Sequence, residues 1–111
     1  MADKKQTCGT TPITFPDTCT YVCVCTPGGG CHWSVTCGDW TTSGVGLTSE
    51  PPREGHVTIV GDLGVGAKIL QKRWKRRVIV PRDLRGKTMR KRTLTGTPEA
   101  IAKALGLRLG S

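Results

Sequence analysis

The residues best suited to chemistry in this chain are its six cysteines and two histidines. Cys31 and His32 are adjacent, and a thiol beside an imidazole could supply a nucleophile and its base. They fall in a run with strand character, where successive side chains point to opposite faces, so the thiol cannot pass its proton to the imidazole. Both histidines sit in strand contexts without a matched carboxylate pair or nucleophile. We therefore expect a protein that binds and does not catalyse.

The segment from Thr18 to Trp40 predicts a β-hairpin. Its alternating Val, Tyr, Trp and Thr residues favour strands, and Pro-Gly-Gly-Gly at 27–30 interrupts them as a loop. If Cys25 lies opposite Cys31, the odd-numbered residues of 19–25 and 31–37 share one face of the hairpin. The other face then carries Val22, Val24, His32, Ser34 and Thr36. We expect the cysteine-bearing face to be buried.

This register favours disulfides, because directly opposed residues have Cβ atoms about 4.5–5.5 Å apart, close to the separation that a disulfide bridges. The predicted pairs are Cys25–Cys31, Cys19–Cys37 and, from the cysteines that remain, Cys8–Cys23. The alternative is a structural zinc site, with zinc as the cofactor, formed by Cys23, Cys25, Cys31 and Cys37. Their spacing lacks the C-x2-C pairs of specific zinc motifs, which favours disulfides and no cofactor. Free thiols are the third alternative.

The redox state of the cysteines also bears on the compartment. Disulfides favour a periplasmic or otherwise extracytoplasmic protein. The opening residues MADKKQTCGT lack the apolar core of a signal peptide, which favours a cytoplasmic protein if the chain is complete. No apolar run approaches the roughly 20 residues that a transmembrane helix needs.

Charge divides the chain into two segments. Residues 1–55 contain three Lys and Arg against five Asp and Glu, a net charge of −2, whereas residues 56–111 contain fourteen against three, a net charge of +11, and the two sum to +9. Residues 50–55 read as a linker, because their two prolines cannot continue a sheet ladder. We predict a cysteine-rich hairpin segment at 1–55, disordered at 1–7 and with a polar loop at 41–46, and a basic domain at 56–111. Two alternatives stay open, a short strand at 45–49 and a continuous sheet in which the strand at 56–60 pairs with the hairpin.

The basic segment predicts the order β-α-β-β-α. A strand at 56–61 precedes a helix at 63–77, which Asp62 caps and whose apolar stripe consists of Leu63, Ala67, Leu70 and Trp74. A short strand at 78–80, a turn at 81–86 and a strand at 87–94 follow. The second helix begins after its cap Thr97 and ends at Gly106. The predicted fold class is α+β, with two helices on a small mixed sheet preceded by the cysteine-rich hairpin.

Cations concentrate on two of these elements. On the first helix they lie opposite the apolar stripe, and on strand 87–94 three consecutive cations place charge on both faces, which suits an edge strand. The candidate residues for binding a partner or an anion are Lys68, Lys72, Lys75, Arg76, Arg77, Arg90, Lys91 and Arg92.

The run VIVPRDLRGKTMRKRTLTGTPEAIAKALGL, with the β-α-β-β-α order before and around it, resembles the short N-terminal domain of secretins and TonB-dependent transporters. The resemblance covers residues 56–109, about half the chain. It rests on the strand 78–80, the turn 83–87, the strand end at 94–96 and the helix at 97–107. It implies a small periplasmic α/β module that is not catalytic and that docks other proteins through its sheet edges and helices. The cysteine-rich hairpin has no counterpart in that family.

Two kinds of partner follow from the basic surface. We expect a protein-interaction module that binds a protein with an acidic surface. An extended partner would add a strand at the module's basic edge, where Arg90 and Arg92 select acidic side chains. The alternative is a nucleic-acid-binding protein that uses the helix at 63–77 and the strand at 87–94 to contact phosphates. Few aromatic residues are available to stack on bases, which favours the protein partner.

Overall fold

The structure, a computed structural model, describes residues 3–7, 12–16, 18–26, 30–46 and 55–110. Its helices are α1 (Leu63–Trp74) and α2 (Pro98–Leu105), with a short 3-10 helix at Arg82–Leu84. Its strands are β1 (Asp3–Thr7), β2 (Pro12–Pro16), β3 (Thr20–Thr26), β4 (Gly30–Cys37), β5 (Trp40–Gly46), β6 (His56–Asp62), β7 (Val78–Ile79), β8 (Thr88–Leu94) and β9 (Arg108–Leu109).

The main sheet has five strands in the order β5-β4-β3-β6-β8, and two smaller sheets pair β1 with β2 and β7 with β9. The fold class is α+β, as predicted. The prediction of a mixed sheet was wrong, because every pairing in the described part of the chain is antiparallel. After β6 the chain leaves the main sheet through α1 and β7, and β8 re-enters it antiparallel to β6.

The main sheet continues across the predicted boundary between the two segments. Tyr21 of β3 lies opposite Val60 of β6, and Cys25 lies opposite His56. This pairing brings α1, which follows β6, over Val22 and Val24, an apolar face of β3 that the hairpin alone leaves exposed. The cysteine-rich segment and the basic segment therefore share one sheet and one helix-side core.

That core lies between the sheet and the helices. The stripe of α1 packs on β3 and β6, as its spacing predicted, and Ile101, Ala102 and Leu105 contribute the buried face of α2. The cluster contains Val22, Val24, Val57, Ile59, Leu63, Ala67, Leu70, Val78, Ile101, Ala102, Leu105 and Leu107.

Local hydrogen bonds fix both helices at the predicted caps. Asp62 Oδ1 accepts from the backbone N–H of Gly64 at 2.7 Å and of Val65 at 3.1 Å. Thr97 caps α2, and Gly106 ends it in the left-handed region with φ of 79°. The helix predicted at 63–77 is too long, because α1 ends at Trp74. Its last three residues belong to the turn into β7, where the Arg77 carbonyl accepts from the Gly110 N–H at 2.7 Å.

Two irregular segments of the prediction are strands. Residues 41–46 belong to β5, which pairs with β4, and residues 3–7 form β1, which pairs with β2. The turn before β5 is Gly38-Asp39, in which Gly38 has φ of 63°. A Gly-Asp pair between runs rich in β-branched and aromatic residues is a hairpin signal. That signal could have located β5 in the sequence.

The face of the sheet away from the helices carries the cysteines and the chain's one tyrosine. Tyr21 is fully buried there, with 0% of its surface exposed. Burial disfavours the phenolate and raises the pKa of Tyr21 well above its ordinary value near 10.

Titration of Tyr21 by its phenolate absorbance tests this burial. A raised pKa leaves folding unaffected at pH values below about 10, where the phenol is neutral in both states. Above that pH only the unfolded chain ionises, and stability falls by up to about 1.4 kcal/mol per pH unit. We expect phenolate to appear only together with loss of the folded circular dichroism signal. Ionisation near pH 10 in a protein that remains folded would contradict the burial.

Candidate functional site

The cysteine-bearing face has the predicted register. Cys25 is disulfide-bonded to Cys31 and Cys19 to Cys37, with Cα–Cα distances of 4.0 and 4.4 Å. Cys23 is also disulfide-bonded, and its predicted partner Cys8 lies outside the described residues. The Cys25–Cys31 cross-link is buried at both ends, whereas Cys19–Cys37 joins a buried cysteine to a partly buried one.

These disulfides are incompatible with the zinc alternative. The sulfur atoms of Cys23, Cys25 and Cys31 lie within 4.8 Å of one another, which brings together three of the four proposed ligands. Zinc binds cysteine as the thiolate, and a disulfide sulfur carries no such charge. In this oxidised state the cysteines therefore cross-link strands.

Cys31 and His32 occupy opposite faces of β4, as the alternation predicted. Cys31 is buried in the cysteine cluster. His32 lies on the helix side, where it lines a small cavity with Arg73 and Trp74. The cysteine and the histidine therefore do not form a nucleophile–base pair.

The cations around the end of α1 converge on one open depression. Its volume is about 560 Å³, and its lining consists of Lys68, Gln71, Lys72, Lys75, Arg76 and Arg77. Arg76 is less available to a ligand than the other cations of the depression, because its guanidinium forms an ion pair with Glu99 of α2. A backbone hydrogen bond at Glu99 and the Arg76 guanidinium hold the pKa of that carboxyl below its ordinary value.

The remaining candidate cations lie on β8, which is an edge of the main sheet as predicted. Arg92 pairs in register with Ile59, and Met89 pairs with Gly61. Arg90 and Lys91 therefore fill a β-bulge opposite Val60. The side chains of Arg90 and Arg92 are exposed, and that of Lys91 lies outside the described residues. The candidate cations thus fall into two groups, one around α1 and one on β8.

A second surface beside α1 combines cations with hydroxyl groups, and the sequence did not reveal it. We call it the hydroxyl groove, and its volume is about 480 Å³. Its lining residues are Ser34, Thr36, Thr41, Ser43, Val65, Lys68, Ile69, Lys72 and Arg73. The four hydroxyl residues come from β4 and β5, and a loop at 41–46, as predicted from the sequence, would not align Thr41 and Ser43 with β4.

Comparisons with protein-family models, curated proteins and solved structures found no match to this chain. In the described part of the chain, no helix combines the length and the apolar character that crossing a membrane requires.

Removal of each disulfide in turn tests its contribution to stability. The sequence separations are 18 residues for Cys19–Cys37 and 6 residues for Cys25–Cys31. Loop-closure entropy then predicts that the Cys19→Ala/Cys37→Ala variant loses about 3 kcal/mol of unfolding free energy and the Cys25→Ala/Cys31→Ala variant about 2 kcal/mol. Urea denaturation measures both values.

Each variant loses one pair of sulfur atoms from the cysteine cluster, so each is a packing control for the other. Equal losses of unfolding free energy in the two variants would show that loop length does not determine how much each disulfide stabilises the protein. Free thiols at these four cysteines in the denatured, unreduced protein would contradict the cross-links themselves.

Proposed function

We propose that this chain is a non-enzymatic module that binds an acidic protein segment by pairing it, as an added strand, with β8. The observation that carries the proposal is the position of β8 at the edge of the main sheet, with Arg90 and Arg92 exposed. An edge strand has a row of backbone N–H and C=O groups that its own sheet does not use. Those groups supply affinity for an extended partner, and the side chains supply selectivity.

The charges on β8 favour an acidic partner. Arg90 and Arg92 attract carboxylates and repel a second copy of β8, since two cationic edges oppose each other. The buried neighbour β6 and the Thr58–Thr93 contact, 3.3 Å between the two hydroxyl oxygens, hold β8 in place on its inner side. A rigid edge loses little conformational freedom when a partner strand binds.

The resemblance of residues 56–109 to the short N-terminal domain of secretins and TonB-dependent transporters supports the same class of function. The resemblance rests on a β-α-β-β-α order, and residues 56–109 contain β6, α1, β7, β8 and α2 in succession, with β9 after them. Disulfides agree with an oxidising compartment such as the periplasm. We propose that the module works in an envelope secretion, transport or signalling system, with the hairpin as an addition to its sheet.

Nucleic-acid binding is the second candidate. Lys68, Lys72, Lys75 and Arg77 are exposed around α1, and within the described residues none of them has an acidic partner. Such a cluster can neutralise phosphates and release their counterions. Trp74, however, is partly buried against the helix-side core and is poorly placed to stack on bases. The protein partner is therefore the better supported of the two.

A peptide titration tests the strand-addition proposal. The ligand is a fluorescein-labelled peptide of alternating Val and Glu, and fluorescence anisotropy measures its affinity. The Arg90→Glu/Arg92→Glu variant should bind the peptide at least about tenfold more weakly. The substitutions replace attraction to the glutamates by repulsion, and a tenfold loss of affinity corresponds to only about 1.4 kcal/mol. Backbone amide NMR signals of β8 should shift on binding to the unsubstituted protein.

The matched control is Arg82→Glu/Lys103→Glu, which makes the same change in net charge at two exposed residues outside β8. It should weaken binding by less than about twofold. Equal weakening by both variants would reduce the effect to net charge and overturn strand addition. Tight binding of a labelled DNA duplex that falls steeply with salt, without binding of the peptide, would favour the nucleic-acid candidate.

A further inference from the structure

We propose that the hydroxyl groove binds a tetrahedral oxyanion, carried as a phosphate or sulfate ester on a small organic molecule. The groove exists because β4 and β5 extend the main sheet beyond the strands that α1 covers, β3 and β6. Where these strands line the groove, their helix-side residues are Ser and Thr, whose small side chains leave a space between the strands and the helix. The inference concerns the opposite edge of the sheet from β8 and does not depend on strand addition.

The hydroxyl groups form two cross-strand pairs. Ser34 lies opposite Ser43, and Thr36 lies opposite Thr41. The Thr36 and Thr41 hydroxyl oxygens are 3.0 Å apart, so one of these hydroxyls donates to the other. The hydroxyl that accepts keeps its own proton, which it can donate to an oxyanion in the groove.

The cations face these hydroxyls from α1. Arg73 Nη2 donates to the Ser34 hydroxyl oxygen at 3.2 Å, and Ser34 is only 4% exposed. This bond fixes one end of the Arg73 guanidinium against the sheet, which reduces the entropy lost when its other N–H groups bind a ligand. Lys68 and Lys72 add two exposed positive charges one helical turn apart.

The composition and size of the groove define the ligand class. Among the described residues that line the groove there is no Asp or Glu, so none of them places a carboxylate beside a bound anion. Its volume of about 480 Å³ lies within the range of binding sites for small organic molecules and is larger than a bare oxyanion would fill. Val65 and Ile69 give one wall an apolar surface that an organic group can contact. An ester therefore fits the groove better than an inorganic ion.

NMR titration with three sugars tests the proposal. The probes are glucose 6-phosphate, glucose 6-sulfate and uncharged glucose, all added at a constant ionic strength near physiological. One or both esters should cause saturable shifts of the amide signals of Ser34, Thr41 and Ser43, and glucose should not. The responding ester distinguishes phosphate from sulfate as the source of the oxyanion. Absence of a saturable shift with both esters would overturn the proposal.

Two pairs of variants separate the groove from general charge. Thr41 and Thr42 are neighbouring exposed residues on opposite faces of β5, so Thr41→Val removes a hydroxyl from the groove and Thr42→Val does not. Likewise, Lys72→Gln removes a cation of the groove, whereas Lys75→Gln removes one outside it. We expect the groove variants to weaken binding about fivefold or more, as for a lost hydrogen bond to a charged group, and the controls less than about twofold.

Equal weakening by Thr41→Val and Thr42→Val, or by Lys72→Gln and Lys75→Gln, would show diffuse attraction of anions and overturn the proposal. All four substituted residues are exposed, and Val preserves the β-branched shape of Thr. Dispersed amide signals in each variant verify that it is folded.

Discussion

Burial of β3 on both of its faces is the constraint on which the rest of the structure depends. Val22 and Val24 point into the helix-side core, and Cys23 and Cys25 point into the cysteine cluster. A strand that is apolar on both faces needs a covering layer on each face, and its buried backbone N–H and C=O groups need a paired strand along each edge. The hairpin provides β4 on one side and the basic segment provides β6 on the other. The helix that follows β6 then covers the face that the hairpin alone would leave exposed.

Features that depend on neighbouring residues could be predicted from the sequence. The hairpin register followed from strand alternation and the opposed cysteines, and both helix caps followed from side chains within a few residues of the bonds they make. Features that depend on residues far apart in the sequence could not be predicted in this way. The strands β3 and β6 lie on separate segments, so nothing local requires them to pair, and the turn after α1 is tied to Gly110, far along the chain, by the hydrogen bond to the Arg77 carbonyl.

The same division applies to the candidate sites. The sequence identified the cations, because charge is visible residue by residue, and it placed those of β8 on an edge strand. It could not tell that Arg76 is held by Glu99, since that ion pair joins two helices. The hydroxyl groove could not be predicted either, because Ser34 and Lys72 lie on different segments that only the shared sheet brings together. The groove results from the shared sheet, as do the positions of β8 and α1 on it.

Amide hydrogen exchange measured by NMR tests the shared sheet most directly. If β3, β6 and α1 form one core, their slowest amides should exchange only by global unfolding, with a single opening free energy and the same dependence on denaturant. Exchange of the slowest β3 amides at a clearly lower free energy than those of β6 and α1 would contradict this account. It would mean that the cysteine-rich and basic segments unfold as separate units.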